Sequence, residues 1–452
     1  MLVSFVYPRT SMDKRGVSIG LPLSLLHIMG PIAEKYDVEF IDRRMSDDVP
    51  LGDVVCVSAM TGNQVKDGLE VLKQAKADDN LTVIGGVHAS LLPDQTLKHE
   101  DVDFVVVGDS YKALLECLNH IESTGSIKKI FRSCEQTPEY IPPAYSLMNN
   151  HPSDYFLNLY GSRNTLSLLC GRGCPHRCKY CYNSFYNKRK WTGYSVDTII
   201  KRIKELISFG AQSVDLVDDN FFTDRKRVEE LCNRIISEKI EIKIFTNCRA
   251  DYIGKFSMDF LKLMKQAGFN ELFVGVESGN QRVLDLMSKD LKIDQILEAN
   301  RKLKEVGIRP VYSFMCGFPS ETWEEVCDTI DLMLRLKKEN PNASLTSLKI
   351  FTPFPGTEFY DVCAKEGMKF PESLDGWGDF DYNTSKFKND PLLEKLSYVT
   401  YFLDQESMVN FTKNPLLKLA IKVYSKYVWF RCRVKWFGFM PEWRIIKWVK
   451  NR

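Results

Sequence analysis

Three cysteines in one short loop constrain this chain more than any other feature. Cys174, Cys178 and Cys181 have the spacing C-x3-C-x2-C, and they directly follow a short apolar strand predicted at Thr165–Leu169. A cubane iron–sulfur cluster normally takes four cysteine thiolates. Three thiolates on one loop would leave one iron without a protein ligand and able to bind a small molecule. The loop therefore indicates a reactive cluster rather than one that only passes electrons.

Two other interpretations concern residues beside the cysteines. His176 lies within the loop, so a zinc site of three cysteines and one histidine is an alternative. Zinc sites usually pair two ligand clusters, however, and no second cluster follows nearby. Cys170 precedes the loop by four residues and could supply a fourth ligand. We expect it instead to pack at the strand end, because free cysteines are among the most buried residues.

The composition is that of a large, reduced globular protein. The 452 residues, 44% of them hydrophobic, are enough for two or three domains with their own cores. Lysine and arginine (61) nearly balance aspartate and glutamate (59), so we expect no nucleic-acid partner. The first residues resemble a strand rather than a signal peptide, and no apolar run of about 18 residues predicts a transmembrane helix. Thirteen scattered cysteines favour a reducing compartment, so we expect a cytoplasmic protein.

The pattern of strands and helices predicts the α/β class. In residues 1–132, short apolar strands without alternation indicate a parallel sheet that is buried on both faces. Five strands with crossover helices predict a doubly wound, flavodoxin-like domain. The five strands are predicted at Leu2–Tyr7, Val38–Asp42, Val54–Ser58, Leu81–Ile84 and Phe104–Val107.

Three further regions follow this domain. Residues 133–163 contain several prolines, asparagines and aromatics and predict an extended linker. Residues 164–370 contain six strand–helix units and predict a partial (β/α)6 barrel, whose chemistry would lie at the carboxyl ends of its strands. Residues 371–452 predict a small, mainly helical region. The barrel strands are predicted at Thr165–Leu169, Ser213–Asp218, Ile242–Thr246, Leu272–Glu277, Ile308–Phe314 and Leu345–Phe351.

Polar or glycine-containing segments end five successive barrel strands after the cysteine loop. They are Asp218-Asp219-Asn220, Thr246–Asp251, Val274–Gly279, Phe314–Thr322 and Phe351–Thr357. Each alone has a structural explanation: Asp218 could cap a helix, Glu277 and Arg249 could form an ion pair, and Gly317 could form a turn. Their order on successive strands is the stronger signal.

This combined pattern closely resembles the radical S-adenosylmethionine (SAM) enzymes over residues 165–360. In that family three cysteines hold a [4Fe-4S] cluster, and SAM on the open iron is cleaved by one electron to a 5′-deoxyadenosyl radical. The resemblance implies an external one-electron reductant of the flavodoxin or ferredoxin type. It also implies SAM contacts: Tyr180 and Gly317 near adenine, Glu277 and Ser278 near the ribose, Arg249 near the carboxylate, Asp218 near the amino group or substrate, and Pro353 on the sixth strand.

The first domain suggests a second cofactor, cobalamin. Small residues at its strand ends would make room for the nucleotide tail, and the stretch VIGGVHASLLPDQTL…VDFVVVGD resembles the N-terminal domain of cobalamin-dependent radical SAM enzymes. The implied contacts are Ser58, Met60, Gly85, Gly86, His88 and Gly108. The first loop, residues 8–16, lacks the D-x-H-x-x-G motif, which implies a cobalt without a lower histidine. We expect His88 to hydrogen-bond or pack, and a domain that no longer binds cobalamin is the alternative.

These resemblances imply a radical SAM enzyme that methylates an unactivated carbon with the help of cobalamin. A cobalamin-dependent rearrangement or cyclisation is one alternative, and a non-catalytic cobalamin or iron–sulfur sensor is another. We expect the substrate to be a small or lipid-like molecule.

The last residues differ in composition from the rest. From Phe411 to Arg452 there are eleven Lys/Arg and one acid, Glu442, together with four of the seven tryptophans. We expect a helical cap that docks on the barrel. Leu416, Leu417, Ala420, Ile421 and Tyr424 share one face of the predicted helix. Peripheral membrane contact through residues 411–452 is the alternative, because cations meet anionic lipid and tryptophans lie at headgroup depth.

Overall fold

The α/β fold class is confirmed by a computed structural model. It describes residues 1–13, 19–108, 111–124, 128–132, 140–159, 162–381, 387, 390–410, 412–440 and 443. One compact unit comprises residues 1–169, 182–214 and 354–385, and the other comprises residues 170–181, 215–353 and 386–452. Parts of the predicted linker, of the first loop and of the C-terminal tail, including Trp448, lie outside the described residues. The predicted domain bounds stay a prediction.

The first unit contains a six-stranded parallel sheet in the order β2-β1-β3-β4-β5-β6. Its strands are β1 Leu2–Tyr7, β2 Asp37–Asp42, β3 Val54–Ser58, β4 Leu81–Gly85, β5 Phe104–Val107 and β6 Lys129–Arg132. The helices between them are α1 Leu23–Ala33, α2 Asn63–Ala77, α3 Gly86–Leu91, α4 Pro93–Leu97 and α5 Tyr111–Thr124. The expectation of five strands was one too few. The sixth strand shows little apolar signal, because only Phe131 of its four residues is buried.

Helices cover both faces of this sheet, which explains its apolar strands. Side chains alternate between the faces of a strand, and Val57 and Ile84 share a buried core with helix α2. On the opposite face Phe104 meets His120 of helix α5, with ring centroids 6.2 Å apart. The doubly wound arrangement therefore leaves only the strand ends free to bind a ligand.

The rest of the chain forms nine more strands and thirteen more α-helices in its described part. The strands are β7 Leu157–Leu159, β8 Ser162–Leu168, β9 Gly171–Gly173, β10 Trp191–Gly193, β11 Ser213–Leu216, β12 Lys243–Arg249, β13 Phe269–Glu277, β14 Arg309–Cys316 and β15 Ser344–Ile350. The helices are α6 Asn183–Tyr186, α7 Val196–Ser208, α8 Arg225–Ser237, α9 Ala250–Lys255, α10 Met258–Gln266, α11 Gln281–Leu286, α12 Ile293–Val306, α13 Trp323–Glu339, α14 Glu358–Lys365, α15 Leu374–Gly378, α16 Pro391–Val399, α17 Gln405–Asn410 and α18 Pro415–Arg433. Short 3₁₀ helices cover Tyr145–Leu147, Pro152–Tyr155, Phe221–Thr223 and Thr400–Leu403.

The barrel strands follow one another in chain order, as predicted for a partial barrel. Their order is β15-β14-β13-β12-β11 in the second unit and β11-β8-β7 in the first. Pairs β12–β13, β13–β14 and β14–β15 are parallel, whereas the unpredicted strand β7 is antiparallel to β8. Helix starts are marked by local capping. Thr322, for example, forms a capping box with Glu325 at the start of α13.

A late segment of the chain completes the core of the first unit. Helices α14 and α15, which follow the last barrel strand, pack on α2 and the neighbouring strand ends. Trp377 is fully buried there, and its indole Nε1 donates to Gln95 Oε1 at 2.6 Å. Its ring lies 4.8 Å from that of Phe380 and 5.6 Å from that of His88. Aromatic residues from this late segment thus complete the core of a sheet that is built from the first 132 residues.

The C-terminal helices belong to the second unit. Helix α18 buries Ile421, Ser425, Val428 and Cys432, while Leu416 and Leu417 are exposed. The helix therefore docks as expected, and of the five residues that share the predicted face only Ile421 is buried. No helix in the described part of the chain is both long and apolar enough to cross a bilayer.

Replacing Trp377 by alanine should destabilise the first unit by about 3–5 kcal/mol, the usual result of removing a buried large aromatic side chain. The measurement is urea unfolding followed by circular dichroism. Leu51→Ala is the control, because Leu51 is 76% exposed and its truncation removes little packing. Equal unfolding midpoints for the two variants would contradict the proposed role of the late segment.

Candidate active site

Two aspartates at the end of β11 hold the start of the cysteine loop. The backbone N–H of Cys170 donates to Asp218 Oδ1 at 2.6 Å, and that of Gly173 donates to Asp219 Oδ2 at 2.9 Å. Arg227 donates to the Cys170 carbonyl at 2.7 Å and lies 3.9 Å from the Asp218 carboxylate. Asp218 is completely buried, so its carboxyl group anchors the loop. The helix-capping alternative is wrong for these aspartates, because Asp224 caps helix α8.

The three cysteines have the exposure and the neighbours that suit a cluster. Cys178 is 8% exposed, and Cys174 and Cys181 are partly buried. Asn220 Nδ2 lies 3.6 Å from Cys174 Sγ, and Arg249 Nη1 lies 3.8 Å from Cys178 Sγ. Burial raises the pKa of the Cys174 thiol, while the Asn220 donor lowers it. N–H groups aimed at sulfur stabilise thiolates and tune the potential of a cluster, so these residues fit a [4Fe-4S] group.

His176, the residue that suggested a zinc site, contacts Tyr252. Among the described residues no three His, Cys, Asp or Glu side chains are grouped as the ligands of one metal ion. The His176 Nε2 atom lies 2.9 Å from the Tyr252 hydroxyl, and burial lowers the pKa of His176 to about 4.

A buried ion pair lies beside the cysteine loop. Lys289 Nζ is 2.6 Å from Glu277 Oε1 and 2.9 Å from the Tyr180 hydroxyl, which donates to the same carboxylate oxygen at 3.3 Å. Both charged side chains are less than 10% exposed. A Cβ on Gly275 would lie 2.6 Å from Glu277 Oε1 and 3.0 Å from Lys289 Nζ. Only glycine therefore leaves room for this pair.

Glu277 also has an unusual backbone. Its φ of +69° lies in the left-handed region, which residues with a side chain adopt at a cost of about 1–3 kcal/mol. Such strain persists where the surrounding structure holds the residue in place, and it is concentrated at functional sites. The strained backbone and the buried partner together fix the Glu277 carboxylate at the end of β13.

Lys289 is the principal residue that the sequence interpretation missed. It lies in the turn after α11 and not at the end of a strand. The ion pair suggested between Glu277 and Arg249 is wrong, because Arg249 instead pairs with Asp251 at 2.8 Å. The remaining Arg249 donor, Nη2, bonds the Lys289 carbonyl at 2.5 Å. Arg249 thus connects the cysteine loop to the segment that carries Lys289.

Gly317 and Pro353, which are also implied to contact SAM, follow the ends of β14 and β15. Gly317 has a φ of +81°, and its backbone N–H donates to Glu321 at 2.5 Å. The next residue, Phe318, stacks on Phe351 at 4.8 Å and lies 6.3 Å from the Tyr180 ring. Both phenylalanine rings are at most 1% exposed and form a packed apolar cluster at the ends of β14 and β15. Pro353 is buried at the end of the same stretch.

Ser278 faces away from the ion pair. Its side chain is completely buried, and its hydroxyl lies 3.2 Å from that of Thr329 on α13. The hydroxyl also accepts the backbone N–H of Asn280 at 3.1 Å. These contacts give Ser278 a structural role, and the ribose contact stays a prediction.

The predicted cobalamin residues cluster at the carboxyl end of the first sheet. Gly108 has a φ of +95°, and a Cβ there would meet no atom of the described residues within 4 Å, its chain neighbours apart. Met60 is 53% exposed. The Ser90 hydroxyl donates to the Gly86 carbonyl at 2.7 Å and accepts the Gly108 N–H at 2.9 Å. Ser90, which the sequence interpretation missed, therefore ties two of the strand ends together beside open space.

Gly86, Ser58 and His88 make local contacts at this edge. A Cβ on Gly86 would lie 2.8 Å from the backbone of Ala59 and 3.0 Å from Ser58 Oγ, so Gly86 allows two strand ends to approach closely. His88 is fully buried, with its Nδ1 2.9 Å from the Thr61 hydroxyl, and burial lowers its pKa to about 4. The histidine packs, as expected. Whether this edge, including Gly85 at the end of β4, binds cobalamin stays a prediction.

The buried Asp218 carboxyl should make stability depend on pH. Burial raises its pKa to about 7 from an ordinary value of 3.8, so the folded state holds a proton that the unfolded state has released. The contribution of Asp218 to the free energy of unfolding is therefore fully present below pH 3.8. It is lost as pH rises toward 7, by at most about 1.4 kcal/mol per pH unit.

Asp218→Asn should remove this part of the pH dependence, because the amide oxygen still accepts the Cys170 N–H but carries no titrating proton. The measurement is urea unfolding of the cluster-free protein between about pH 5 and pH 8. Asp48→Asn, at an exposed position, is the control. If the free energy of unfolding changes with pH in the same way in the parent protein and in Asp218→Asn, then Asp218 does not hold a proton in the folded state.

The chain is similar to several known proteins. Residues 168–333 match the family model of the Radical SAM superfamily. An uncharacterised methyltransferase of Pyrococcus horikoshii is 28% identical over 403 residues, which cover 81% of this chain and 84% of that protein. An anaerobic magnesium-protoporphyrin IX monomethyl ester cyclase of Synechocystis is 25% identical over 376 residues, 76% of this chain and 73% of the relative.

A solved structure extends the likeness in fold to the whole chain. The cobalamin-dependent S-adenosylmethionine radical enzyme OxsB, with aqua-cobalamin and S-adenosylmethionine bound, matches with a TM-score of 0.74 over 100% of this chain and 75% of that one. The two sequences are 16% identical, so this likeness concerns the fold. The cysteine loop and most of the strand-end residues lie within residues 168–333, the segment that matches the Radical SAM superfamily.

Proposed function

We propose that this radical SAM enzyme methylates an unactivated carbon and uses cobalamin as the carrier of the methyl group. The observation that carries the proposal is the constellation at the barrel strand ends. Three cysteines on one loop lie next to a strained, lysine-paired glutamate and a pair of stacked phenylalanines. This arrangement supplies the anionic, cationic and apolar partners that a bound SAM molecule requires.

When bound, the cluster with SAM supplies a 5′-deoxyadenosyl radical, and cobalamin supplies the methyl group. The residues of the chain bind and orient these groups. Glu277 presents a fixed carboxylate to the ribose hydroxyls, and the buried Lys289 keeps that carboxylate in place. Phe318 and Phe351 exclude water from the adenine side. Asn220 and Arg249 donate N–H groups toward cysteine sulfurs and so set the electrostatic environment of the cluster.

Cobalamin is assigned to the first sheet on three grounds. The sheet is doubly wound, and ligands of such sheets bind beyond the carboxyl ends of the strands. Gly108 borders open space at that edge. The structurally similar OxsB binds aqua-cobalamin. Methyl transfer is favoured because the relative from Pyrococcus, which matches most of this chain, is a methyltransferase by name.

A cobalamin-dependent cyclisation is the second candidate, supported by the cyclase among the relatives. The two reactions differ in their products from SAM. Methylation would yield S-adenosylhomocysteine from one SAM, and deoxyadenosine and methionine from another, whereas cyclisation would yield deoxyadenosine and methionine without S-adenosylhomocysteine. Either reaction requires an external one-electron reductant, for which flavodoxin or ferredoxin is the expected class.

Cys174→Ala should abolish SAM cleavage, because two thiolates cannot hold the cluster with one open iron. The protein is reconstituted with iron and sulfide without oxygen, and deoxyadenosine is measured after SAM and dithionite are added. Cys327→Ala is the matched control, because Cys327 is a partly buried thiol on α13, far along the chain from the loop. Deoxyadenosine from Cys174→Ala, or none from a parent protein with an intact cluster, would contradict the proposal.

Gly108→Asn should weaken cobalamin binding by about tenfold or more, because the new side chain projects into the space proposed for the cofactor. Asparagine tolerates the left-handed backbone better than other residues with a side chain. The matched control is Gly307→Asn, since Gly307 also has a positive φ, +71°, and open space around a Cβ. Binding is measured by spectroscopic titration with hydroxocobalamin. An unchanged affinity in Gly108→Asn would place cobalamin elsewhere or exclude it.

A further inference from the structure

Helix α18 has two apolar faces, and in the part of the chain that the structure describes only one of them is covered. The face that packs on the second unit carries Ile421, Ser425, Val428 and Cys432, which are at most 9% exposed. A helix that buries one face normally presents polar residues on the other. The outer face of α18 does not follow this rule.

The outer stripe of α18 consists of Leu416, Leu419, Val423 and Phe430. Their exposed fractions are 78%, 60%, 62% and 57%. The spacing of three, four and seven residues places all four on one side of a helix with 3.6 residues per turn. The same spacing places them opposite the buried face. Two exposed aromatic residues beyond the helix, Trp436 (46%) and Phe439 (66%), extend the apolar surface.

Basic residues border the outer stripe. Lys418, Lys422, Lys426 and Arg433 follow one another along one flank of the helix, and the last three are exposed. No aspartate or glutamate occurs in the sequence from Phe411 to Pro441. The exposed surface of this region is therefore both apolar and cationic.

We infer that the outer stripe of α18 and its flanking cations bind the surface of an anionic lipid bilayer, with the helix lying in the plane of the headgroups. An apolar stripe with cations along its edge is the pattern of helices that lie in this interface. Charge complementarity favours lipid over a second copy of the chain, because two copies would bring like-charged rows together. The helix lies on the membrane rather than crossing it, consistent with its basic residues.

The test is co-sedimentation of the full chain with vesicles. Vesicles of phosphatidylcholine and phosphatidylglycerol in equal parts are compared with vesicles of phosphatidylcholine alone, at low and high salt. We expect binding to the anionic vesicles only, weakened by salt. The double variant Leu419→Glu/Val423→Glu should lower the partition coefficient by at least about tenfold, because it removes apolar contact and adds repulsion.

Charge reversal tests the cationic flank separately. Lys422→Glu/Lys426→Glu should lower the partition coefficient by about 30-fold or more, which corresponds to about 1 kcal/mol for each lost lysine. The matched controls are Leu51→Glu and Lys73→Glu, at exposed positions of the first unit, and both should bind as the parent does. All substituted side chains are exposed, and unchanged melting curves confirm that the variants fold.

Three outcomes would overturn the inference. The first is that the parent chain binds neither kind of vesicle. The second is that the controls weaken binding as much as the α18 variants do. The third is that the chain ignores vesicles but forms dimers in analytical ultracentrifugation, and that Leu419→Glu/Val423→Glu abolishes them. That last result would assign the outer stripe to a second copy.

Discussion

The hydrogen bonds from the Cys170 and Gly173 amides to Asp218 and Asp219 determine where the cysteine loop leaves the barrel. A loop of this kind has little regular structure, so these two hydrogen bonds hold its first residues against the strand end. Because these aspartates directly follow strand β11, the hydrogen bonds attach the loop to the rigid sheet. The N–H donors of Asn220 and Arg249 lie close to two of the sulfurs, and they belong to the same second unit.

The pair formed by Glu277 and Lys289 shows how the site tolerates buried charge. Burying either group alone would cost several kcal/mol, and the pair is retained only because geometry and extra hydrogen bonds offset that cost. Tyr180 contributes one of these bonds, and Gly275 provides the space. Tyr180 of the cysteine loop is therefore coupled to the end of β13 both directly and through Lys289.

Patterns within single sequence segments predicted much of the fold. The features that were missed depend on contacts between residues that lie apart in the sequence. The predicted bounds of β1, β3 and β5 match the structure, because runs such as Phe104–Val107 are apolar enough to stand out alone. The cysteine spacing is also local. Lys289 could not be found in this way, since its partner Glu277 lies twelve residues earlier and the turn between them carries no periodic pattern. The face on which α18 docks could not be predicted, because its apolar residues lie all around the helix and composition alone does not show which of them contact other elements.

The packing of Trp377 and Phe380 on the first sheet has a consequence for the order of synthesis. The sheet is complete by residue 132, yet its core still lacks the aromatic residues that arrive almost 250 positions later. During synthesis on the ribosome, the core of this first sheet therefore stays partly exposed until the whole barrel sequence has been translated. A polypeptide cut after residue 132 would expose the apolar surface that those residues cover, so the N-terminal segment is not an independently finished folding module.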